Sequence, residues 1–503
     1  MAGKYSVGCL SMSFAFKTYL PPAWTMPHMD TRPSSPCPFH ADAQPPAPVR
    51  HPLGVWPPGP RAALTGWGLL RRMSRDLLGA LAEWRQAFGD VVHLRLWPEH
   101  AVMVADPQLV RELLVTHHDS VRRWERATHV FAQLHGHSVL IAEGDAWRDK
   151  RHALQPSFTP KAVQTFVSTI AAATGNALAQ WPAHDRHWPI ESALTSLTMD
   201  VILRMTFSDE IGEEARDVEQ AMRTTSEAAN AEFYWPVSSP DWVPWKRGKR
   251  QSLAVLKGLI DRHLQARVSS PEDAWPDDLL SRLLRLHRDD PQKWPLQAVR
   301  DECMTTFLAG HETTARTLIW WAWCMASNPA VQAAARHEVE TALCGGTPTT
   351  DTLPALRYLT QTLEETLRLY PAAPVLISRR ASGPIALGDW HFPAGTLFML
   401  PVQLLHHDPR WFPEPAAFQP ERFAADAARI PRGAHLPFGA GPRVCLGQHL
   451  AMAEMTVIAA MILQRFTLSV PDGMAHPSPV MNVTLRADQP VHLALAPAAA
   501  GAS

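Results

Sequence analysis

The sequence has no excess of charge of either sign, since 47 lysines and arginines are balanced by 48 aspartates and glutamates, for a formal net charge of −1. Proteins that bind nucleic acid or anionic membranes through their overall electrostatic field carry a basic excess. The composition therefore predicts neither a nucleic-acid partner nor an electrostatic attraction to membranes.

Paired cysteines and long apolar runs are also lacking. The six cysteines are scattered, unlike the disulfide framework of a secreted protein, which predicts a reducing compartment, the cytoplasm. No run of about 18 apolar residues occurs, so no transmembrane span is predicted. Residues 7–16 are a weak candidate for a signal-peptide core, but serines interrupt them and no clear cleavage site follows, so targeting is the weaker alternative.

Proline is unevenly distributed and is dense between residues 21 and 60. Because proline fixes φ and removes a backbone donor, this stretch cannot form regular helix or sheet. We predict a flexible N-terminal leader over residues 1–56 and one large domain over residues 57–503. Met26 or Met29 could equally be the translation start.

Periodic apolar patterns in the remainder predict a mainly α fold with small β-sheets, an α+β class. Helical patterns dominate the middle and C-terminal thirds, and the longest, at residues 297–328, lies between two prolines. Further helices are predicted at residues 77–88 and 107–116. Alternating runs predict strands at residues 91–96, 101–104, 375–379, 391–393 and 491–495.

The stretch at residues 438–447 presents one cysteine, Cys445, in a glycine-rich loop. Its glycines permit tight turns and the close approach of a flat ligand. A buried helical pattern follows at residues 448–463, so the sulfur lies near a helix N-terminus, which favours a thiolate. One thiolate with open space above it suits haem iron better than zinc or an iron–sulfur cluster, which need about four ligands. A structural cysteine in a glycine-rich turn is the alternative.

This stretch resembles the haem-binding signature F-x-x-G-x-R-x-C-x-G of the cytochromes P450, with every fixed position present. The resemblance implies the cytochrome P450 fold as a single large haem-binding domain, with haem b as the cofactor and Cys445 as the ligand of its iron. It also implies that Phe438, Arg443 and Gly447 contact the haem, with Arg443 within reach of a propionate.

Three further motifs occur in the order of the family. In the first, Trp147 and Arg151 lie four residues apart on a predicted helix, so both project from one face and can hold one carboxylate. An exposed basic turn is the alternative, whereas the family's W-x-x-x-R implies contact with a haem propionate. Near the strand at residues 375–379, the resemblance assigns another propionate contact to Arg379, in preference to Arg380.

The second motif lies within the long helix and resembles the family's [AG]-G-x-[DE]-T-[TS]. The resemblance implies that Ala309 and Gly310 lie beside the haem, with Gly310 leaving room for dioxygen in a locally loosened helix. It assigns Glu312 and Thr313 to proton delivery during the reductive activation of dioxygen. A threonine-capped kink with a solvated glutamate is the alternative, and His311 is interpreted as a bystander.

The third motif has Glu365 and Arg368 three residues apart on a helix, where an ordinary surface ion pair is the alternative. The match to the family's E-x-x-R, together with Arg422, implies a buried Glu–Arg–Arg network that supports the side of the haem bearing the cysteine. The segment at residues 406–408, His-His-Asp, looks metal-binding in isolation, but a zinc hydrolase would need further ligands that the sequence does not identify.

The resemblance implies a haem-thiolate monooxygenase that inserts one atom of O₂ into a lipophilic small molecule, by hydroxylation or epoxidation. The chain ends soon after the helix that follows Cys445, which predicts that electrons from NAD(P)H arrive through a separate ferredoxin- or flavodoxin-type donor with its reductase. Arg148 and Lys150 are candidates for docking this donor, with a solvated helix face as the alternative. A monomer is expected.

The substrate pocket is expected, by position, around residues 121–136, 232–245 and 375–377, with Phe307 and Ala309 on the long helix. Their apolar side chains predict an apolar substrate. An isomerase or dehydratase, a peroxygenase, and a non-catalytic haem sensor remain as alternatives. Peroxide-using and oxygen-independent relatives often depart from the Glu–Thr pair, so its presence favours activation of O₂.

Overall fold

The computed structural model describes residues 51–62, 65–210, 215–234 and 243–498. The candidate signal-peptide core and most of the predicted leader lie outside these residues. Residues 51–56, the described part of that leader, pack on the domain. The His51 amide donates to the Asp389 carbonyl at 2.8 Å, and the Trp56 ring stacks on His93 with centroids 4.5 Å apart. The predicted flexible leader therefore does not extend to residue 56.

Helices dominate the described part of the chain, as predicted. They are α1 (Trp67–Arg75), α2 (Leu77–Phe88), α3 (Pro107–Arg111), α4 (Glu125–His135), α5 (Gly144–Leu154), α6 (Pro160–Gln164), α7 (Val167–Ala179), α8 (Ile190–Phe207), α9 (Ala215–Tyr234), α10 (Arg247–Val268), α11 (Leu279–Asp289), α12 (Leu296–Ser327), α13 (Pro329–Leu343), α14 (Arg357–Leu369), α15 (Val402–His406) and α16 (Gln448–Arg465). No helix within the described ranges is both long and apolar enough to cross a membrane.

The strands are short and form small sheets. They are β1 (Val91–Leu96), β2 (Glu99–Val104), β3 (Val121–Arg123), β4 (Asp185–Trp188), β5 (Leu376–Ala381), β6 (Ile385–Leu387), β7 (Trp390–Phe392), β8 (Leu397–Leu400), β9 (Phe466–Ser469), β10 (Pro479–Asn482), β11 (Thr484–Ala487) and β12 (Leu493–Pro497). One sheet has the order β1-β2-β8-β5-β3, another β4-β12-β9, and two hairpins are β6-β7 and β10-β11. The predicted mainly α fold with small sheets is confirmed.

Helix α12 organises the core. It has 32 residues, begins after Pro295 and ends before Pro329, and at about 1.5 Å per residue it is long enough to cross the domain. Its C-terminal half is buried on all sides, with Trp320 and Trp321 almost fully enclosed among α7, α8, α14 and α16. This burial explains why the predicted span lacks a polar face there.

One helix boundary differs from the sequence-based expectation, and one strand pairing was not foreseen. The helix predicted at residues 107–116 is α-helical only through Arg111 and then widens into a π turn over Glu112–Thr116. In the five-stranded sheet, antiparallel pairing of β3 with β5 brings Arg123 directly opposite Arg379. Like charges facing each other across strands are destabilising unless a counter-charge is supplied.

The Glu365–Arg368 pair on α14 has no exposed surface, so the surface ion pair alternative is wrong. The two side chains form a bidentate pair with N–O distances of 2.7 and 2.8 Å, and Arg422 approaches Glu365 at 3.4 Å. The Arg368 guanidinium also donates to the His406 and Pro415 carbonyls. The predicted three-membered network is therefore confirmed, and it ties α14 to the segment that precedes the cysteine loop.

His406 belongs to the same scaffold rather than to a metal site. Its Nε2 accepts the Leu436 amide at 2.8 Å, which leaves Nδ1 to donate to the Arg368 carbonyl. Asp408 pairs with Arg85 and Arg410. Within the described ranges, no three His, Cys, Asp or Glu side chains are arranged to hold a metal ion, so nothing supports the hydrolase alternative.

Candidate active site

A cavity of about 1080 Å³ lies between α12 and the cysteine loop. All the residues predicted for the site line this one cavity, although they come from separate parts of the chain. They are Trp147, Arg151, Ala309, Gly310, Glu312, Thr313, Arg379, Phe438, Arg443, Cys445 and Gly447. The volume is at the upper end of the usual range for small-molecule sites.

The backbone of the cysteine loop depends on two of its glycines. Gly439 and Gly441 have φ values of +75° and +72°, which residues with a Cβ rarely adopt, and a Cβ on Gly441 would overlap the Leu114 carbonyl oxygen. Gly447 differs, since its φ is −87° and a Cβ there would meet no atom within 4 Å. The first two glycines therefore shape the turn, and the third leaves space on the cavity side.

The Cys445 thiol faces the cavity two residues before Gly447, the N-cap of α16. The Cys445 amide donates to the Phe438 carbonyl at 2.9 Å, which closes the loop. Burial raises the pKa of this thiol, and the Gly447 amide and Arg151 act in the opposite direction. A bound metal ion would favour the thiolate much more strongly, because the thiolate is the form that ligates.

Four arginines lie together on one side of the cavity: Arg123, Arg151, Arg379 and Arg443. Among the described residues, the carboxylate of Glu143 pairs with these arginines, at 2.5 Å from Arg443 and 3.7 Å from Arg123. Burial lowers the pKa of Arg379 to about 10, with a further contribution from Arg443. The wall therefore carries a positive charge that the protein compensates only in part.

Arg123 was not predicted from the sequence. Its side chain is 8% exposed, and its Nε is buried without a hydrogen-bond partner. Burial, and then the neighbouring Arg443 and Arg379, lower its pKa. Pairing of β3 with β5 is what places it here, and no local pattern in the sequence marks that pairing.

Trp147 and Arg151 are both half-buried on α5, contrary to the exposed-turn alternative. The Arg443 guanidinium lies 4.3 Å from the centre of the Trp147 ring, a cation–π distance, and Arg151 donates to the Val444 carbonyl at 2.7 Å. These contacts join α5 to the cysteine loop.

The oxygen-side motif lies on an unbroken helix, so the expected loosening of α12 is absent. The Thr313 and Thr314 hydroxyls donate to the Ala309 and Gly310 carbonyls at 2.8 and 2.9 Å. A Cβ on Gly310 would lie 2.9 Å from Ile202 of α8. Close packing against α8 is therefore one structural reason for glycine at this position, and Gly310 also lines the cavity.

Comparison with known proteins agrees with this arrangement. The sequence model of the cytochrome P450 family matches residues 57–494. The chain belongs to the cytochrome P450 family. It is therefore an oxidoreductase, a haem-thiolate monooxygenase that uses haem iron, O₂ and electrons supplied through a partner.

Individual relatives of this P450 are distant but cover most of its length. A cyclooctat-9-en-7-ol 5-monooxygenase of Streptomyces melanosporofaciens is 32% identical over 78% of the chain and 88% of that protein. A cytokinin hydroxylase of Arabidopsis thaliana is 29% identical, covering 84% and 83%. A putative cytochrome P450 132 of Mycobacterium tuberculosis is 31% identical, covering 71% and 80%.

The residues of the cavity fit haem. Its two propionates would supply the missing negative charge to the arginine wall and an acceptor for the orphaned Nε of Arg123. The single thiol of Cys445 would ligate the iron, and the open space at Gly447 would admit the flat ring. Arg380 does not add to the uncompensated positive charge of this wall, because Glu99 and Glu125 pair with it, each at 2.7 Å.

Glu312 is anchored rather than solvated. Its carboxylate accepts hydrogen bonds from Arg486 at 2.9 Å, Thr484 at 2.8 Å and Ser226 at 3.3 Å. Burial would raise the pKa of this carboxyl, but Arg486 and then Arg316 hold it below its ordinary value. Arg486 and Thr484 lie on β11, far along the chain, and the sequence carried no signal for them. The solvated-glutamate alternative is therefore wrong.

The remaining lining is mostly apolar and partly as expected. Helices α4 and α9 contribute Phe131, Phe233 and Tyr234 to the lining, and residues 375–377 also line the cavity. Phe307 instead packs inside the core and does not line the cavity. The side chains of the predicted pocket residues Trp235, Trp242 and Trp245 lie outside the described residues.

The two candidates for donor docking differ in exposure. Arg148 is exposed and pairs with Asp145 at 2.6 Å. Lys150 points inward to Glu302, a carboxylate with almost no exposed surface, at 2.8 Å. Lys150 is therefore a structural residue, and only Arg148 remains available to a partner protein.

Proposed function

We propose that this P450 hydroxylates or epoxidises a lipophilic small molecule. The observation that carries the proposal is the single cavity in which Cys445, Thr313 and an apolar wall meet. The similarity to the cyclooctat-9-en-7-ol 5-monooxygenase of Streptomyces and the cytokinin hydroxylase of Arabidopsis supports it. We further propose haem b as the cofactor, and a ferredoxin- or flavodoxin-type donor with an NAD(P)H-dependent reductase.

Each wall of the cavity has a role in this proposal. Cys445 would ligate the iron, and Arg123, Arg379 and Arg443 would hold the propionates, with Trp147 and Arg151 as further contacts. When bound, the haem supplies the iron centre at which O₂ is reduced. The apolar side chains exclude water from the substrate and orient it by shape.

Thr313 and Glu312 handle protons in this mechanism. The Thr313 hydroxyl donates its proton to the Ala309 carbonyl, so its oxygen is left to accept a hydrogen bond from a donor within the cavity. Arg486 favours the ionised form of Glu312, so this carboxylate accepts a proton from water before it can pass one on. Glu312 therefore serves a relay that passes protons inward without changing its average charge.

Isomerase, dehydratase and peroxygenase activities are the second candidates on the same fold. The intact Glu312–Thr313 pair favours O₂ activation, and a non-catalytic haem sensor would not require it. Coupling of NAD(P)H consumption to product formation would separate these possibilities. We also propose a cytoplasmic location, which the unpaired spacing of the cysteines supports. The oligomeric state that we propose is a monomer.

The first experiment is the absorption difference spectrum of the dithionite-reduced protein with and without carbon monoxide, for wild type and Cys445→Ala. We expect a long-wavelength, thiolate-type Soret band that the substitution abolishes. Absence of haem, or a histidine-type band that persists in the variant, would refute the assignment of Cys445.

A further inference from the structure

Arg126, in the first turn of α4, lines the cavity without a carboxylate hydrogen-bonded to it among the described residues. One of its terminal nitrogens donates to the Glu232 carbonyl at 2.7 Å. Its Nε is buried and has no hydrogen-bond partner. A guanidinium has five N–H groups and remains charged in proteins, so unpaired donors at a cavity wall favour an acceptor that arrives with a ligand.

Two acidic side chains adjoin Arg126, and both are already paired with other cations. Glu125 precedes it in the chain, and Glu232 is the carboxylate that affects its pKa. The Glu125 carboxylate binds Arg380 at 2.7 Å. The Glu232 carboxylate binds Lys249 at 2.5 Å. The pKa of Arg126 is lowered by burial, and Glu232 raises it by a smaller amount. The described protein therefore leaves the hydrogen-bonding capacity of Arg126 unfilled.

Arg126 is also distinct from the arginine wall that fits the haem propionates. Besides burial, other arginines of the wall lower the pKa values of Arg123, Arg379 and Arg443. The pKa of Arg126 is lowered by burial and raised by Glu232, with no arginine of the wall contributing. The segments that carry Arg126 and its hydrogen-bond partner Glu232 also bring aromatic side chains to the cavity. Trp124, Phe131, Phe233 and Tyr234, from α4, the residue before it and α9, line this cavity together with Arg126. One cation among aromatic side chains is typical of a site that fixes the charged end of an otherwise apolar ligand.

We propose that Arg126 binds the carboxylate of the substrate, so that the substrate class is an amphiphilic carboxylic acid. The inference rests on the proposed function and specifies the substrate of that same site. The guanidinium forms charge-assisted hydrogen bonds to the carboxylate, and the apolar remainder lies along the cavity that Thr313 and Cys445 also line. The carboxylate end is held at α4, so oxidation occurs on the apolar part of the molecule.

The test compares dodecanoate with dodecanol, which share one chain and differ in the charged end. Affinities for the holoenzyme are measured by quenching of tryptophan fluorescence and by the shift of the haem spectrum. We expect the wild type to bind the acid about tenfold more tightly or better, the gain of a charge-assisted hydrogen bond. Arg126→Gln should abolish this preference, and Arg126→Lys should retain part of it because the charge remains.

Arg122→Gln is the matched control, because Arg122 lies four residues earlier, is exposed and pairs with Glu125. It should leave the preference for the acid unchanged. Equal binding of acid and alcohol by the wild type, or a preference that survives in Arg126→Gln, would overturn the proposal while leaving the apolar pocket intact. If Arg126→Gln weakens both ligands equally, Arg126 is structural and the proposal fails. If the wild type binds neither ligand, the apolar-substrate proposal fails as well.

Discussion

Replacing Arg486 by methionine should destabilise the protein in a way that depends on pH. Arg486 and Glu312 are each at most 15% exposed, and their N–O distance is 2.9 Å. Removing one partner of a buried pair costs about 3–5 kcal/mol. Because the Thr484 and Ser226 hydroxyls still donate to Glu312, we expect the lower end, about 3 kcal/mol at about pH 7.5.

The sign of the pH dependence follows from the pKa of Glu312. In the wild type this pKa is lowered on folding, so the carboxylate adds stability above its unfolded pKa, and that stability is lost as the pH falls through the folded pKa. Without Arg486, less of this lowering remains, because Arg316 is then the main cation that opposes the effect of burial on the pKa of Glu312. The ionised Glu312 of the variant therefore adds less stability above the unfolded pKa than that of the wild type. The difference between the two proteins should shrink toward about pH 4.5.

Urea unfolding followed by circular dichroism between about pH 4.5 and pH 7.5 measures this difference. The double variant Glu312→Gln, Arg486→Met carries no buried charge at this site and should recover most of the lost stability. Arg223→Met is the exposed control, since its pair with Glu227 lies at the surface and should contribute at most about 1 kcal/mol. The reasoning fails if the single variant is equally destabilised at both ends of the pH range, or if the double variant is no more stable than the single one.

Further outcomes can be checked independently. Thr313→Ala should retain haem but divert reducing equivalents to hydrogen peroxide, measured as peroxide formed per NAD(P)H consumed; unchanged coupling would contradict the role given to Thr313. Gly441→Ala should lower the free energy of unfolding by more than about 1 kcal/mol, because a Cβ is strained at positive φ and overlaps Leu114. Gly447→Ala should leave the stability of the haem-free chain unchanged and lower its haem content, and equal losses of stability in the two glycine variants would argue against this distinction. Glu365→Gln should cost about 3–5 kcal/mol, since it leaves Arg368 charged and buried, and a loss below about 1 kcal/mol in urea unfolding would show that the network is dispensable.

Local signals were sufficient for the elements and the cysteine loop. Residues 297–328 were predicted as one helix and form α12 (Leu296–Ser327), because prolines stop helices at positions that can be read from the sequence. The helix predicted at residues 77–88 matches α2 (Leu77–Phe88). Trp147 and Arg151 were placed on one helix face by their spacing alone.

Several roles could not be read from the sequence. Gly310 was singled out for the room it leaves beside the haem, but its close packing against Ile202 of α8 was not foreseen. Lys150 was a candidate for a docking surface, with a solvated helix face as the alternative, and instead pairs with buried Glu302. In both cases the deciding neighbour belongs to another helix, so no spacing within the motif could have indicated it.

The sequence by itself determined the family, the position of the cysteine loop and the order of the motifs that the structure brings to one cavity. These features are held by covalent spacing, which sets what a loop or one face of a helix presents. Only the tertiary structure decided the electrostatics: which arginines form the wall with Arg123, which cation holds Glu312, and which guanidinium of α4 has a nitrogen without a hydrogen-bond partner. The reason is physical, because pairing and pKa depend on burial and on charges that folding brings together from distant parts of the chain.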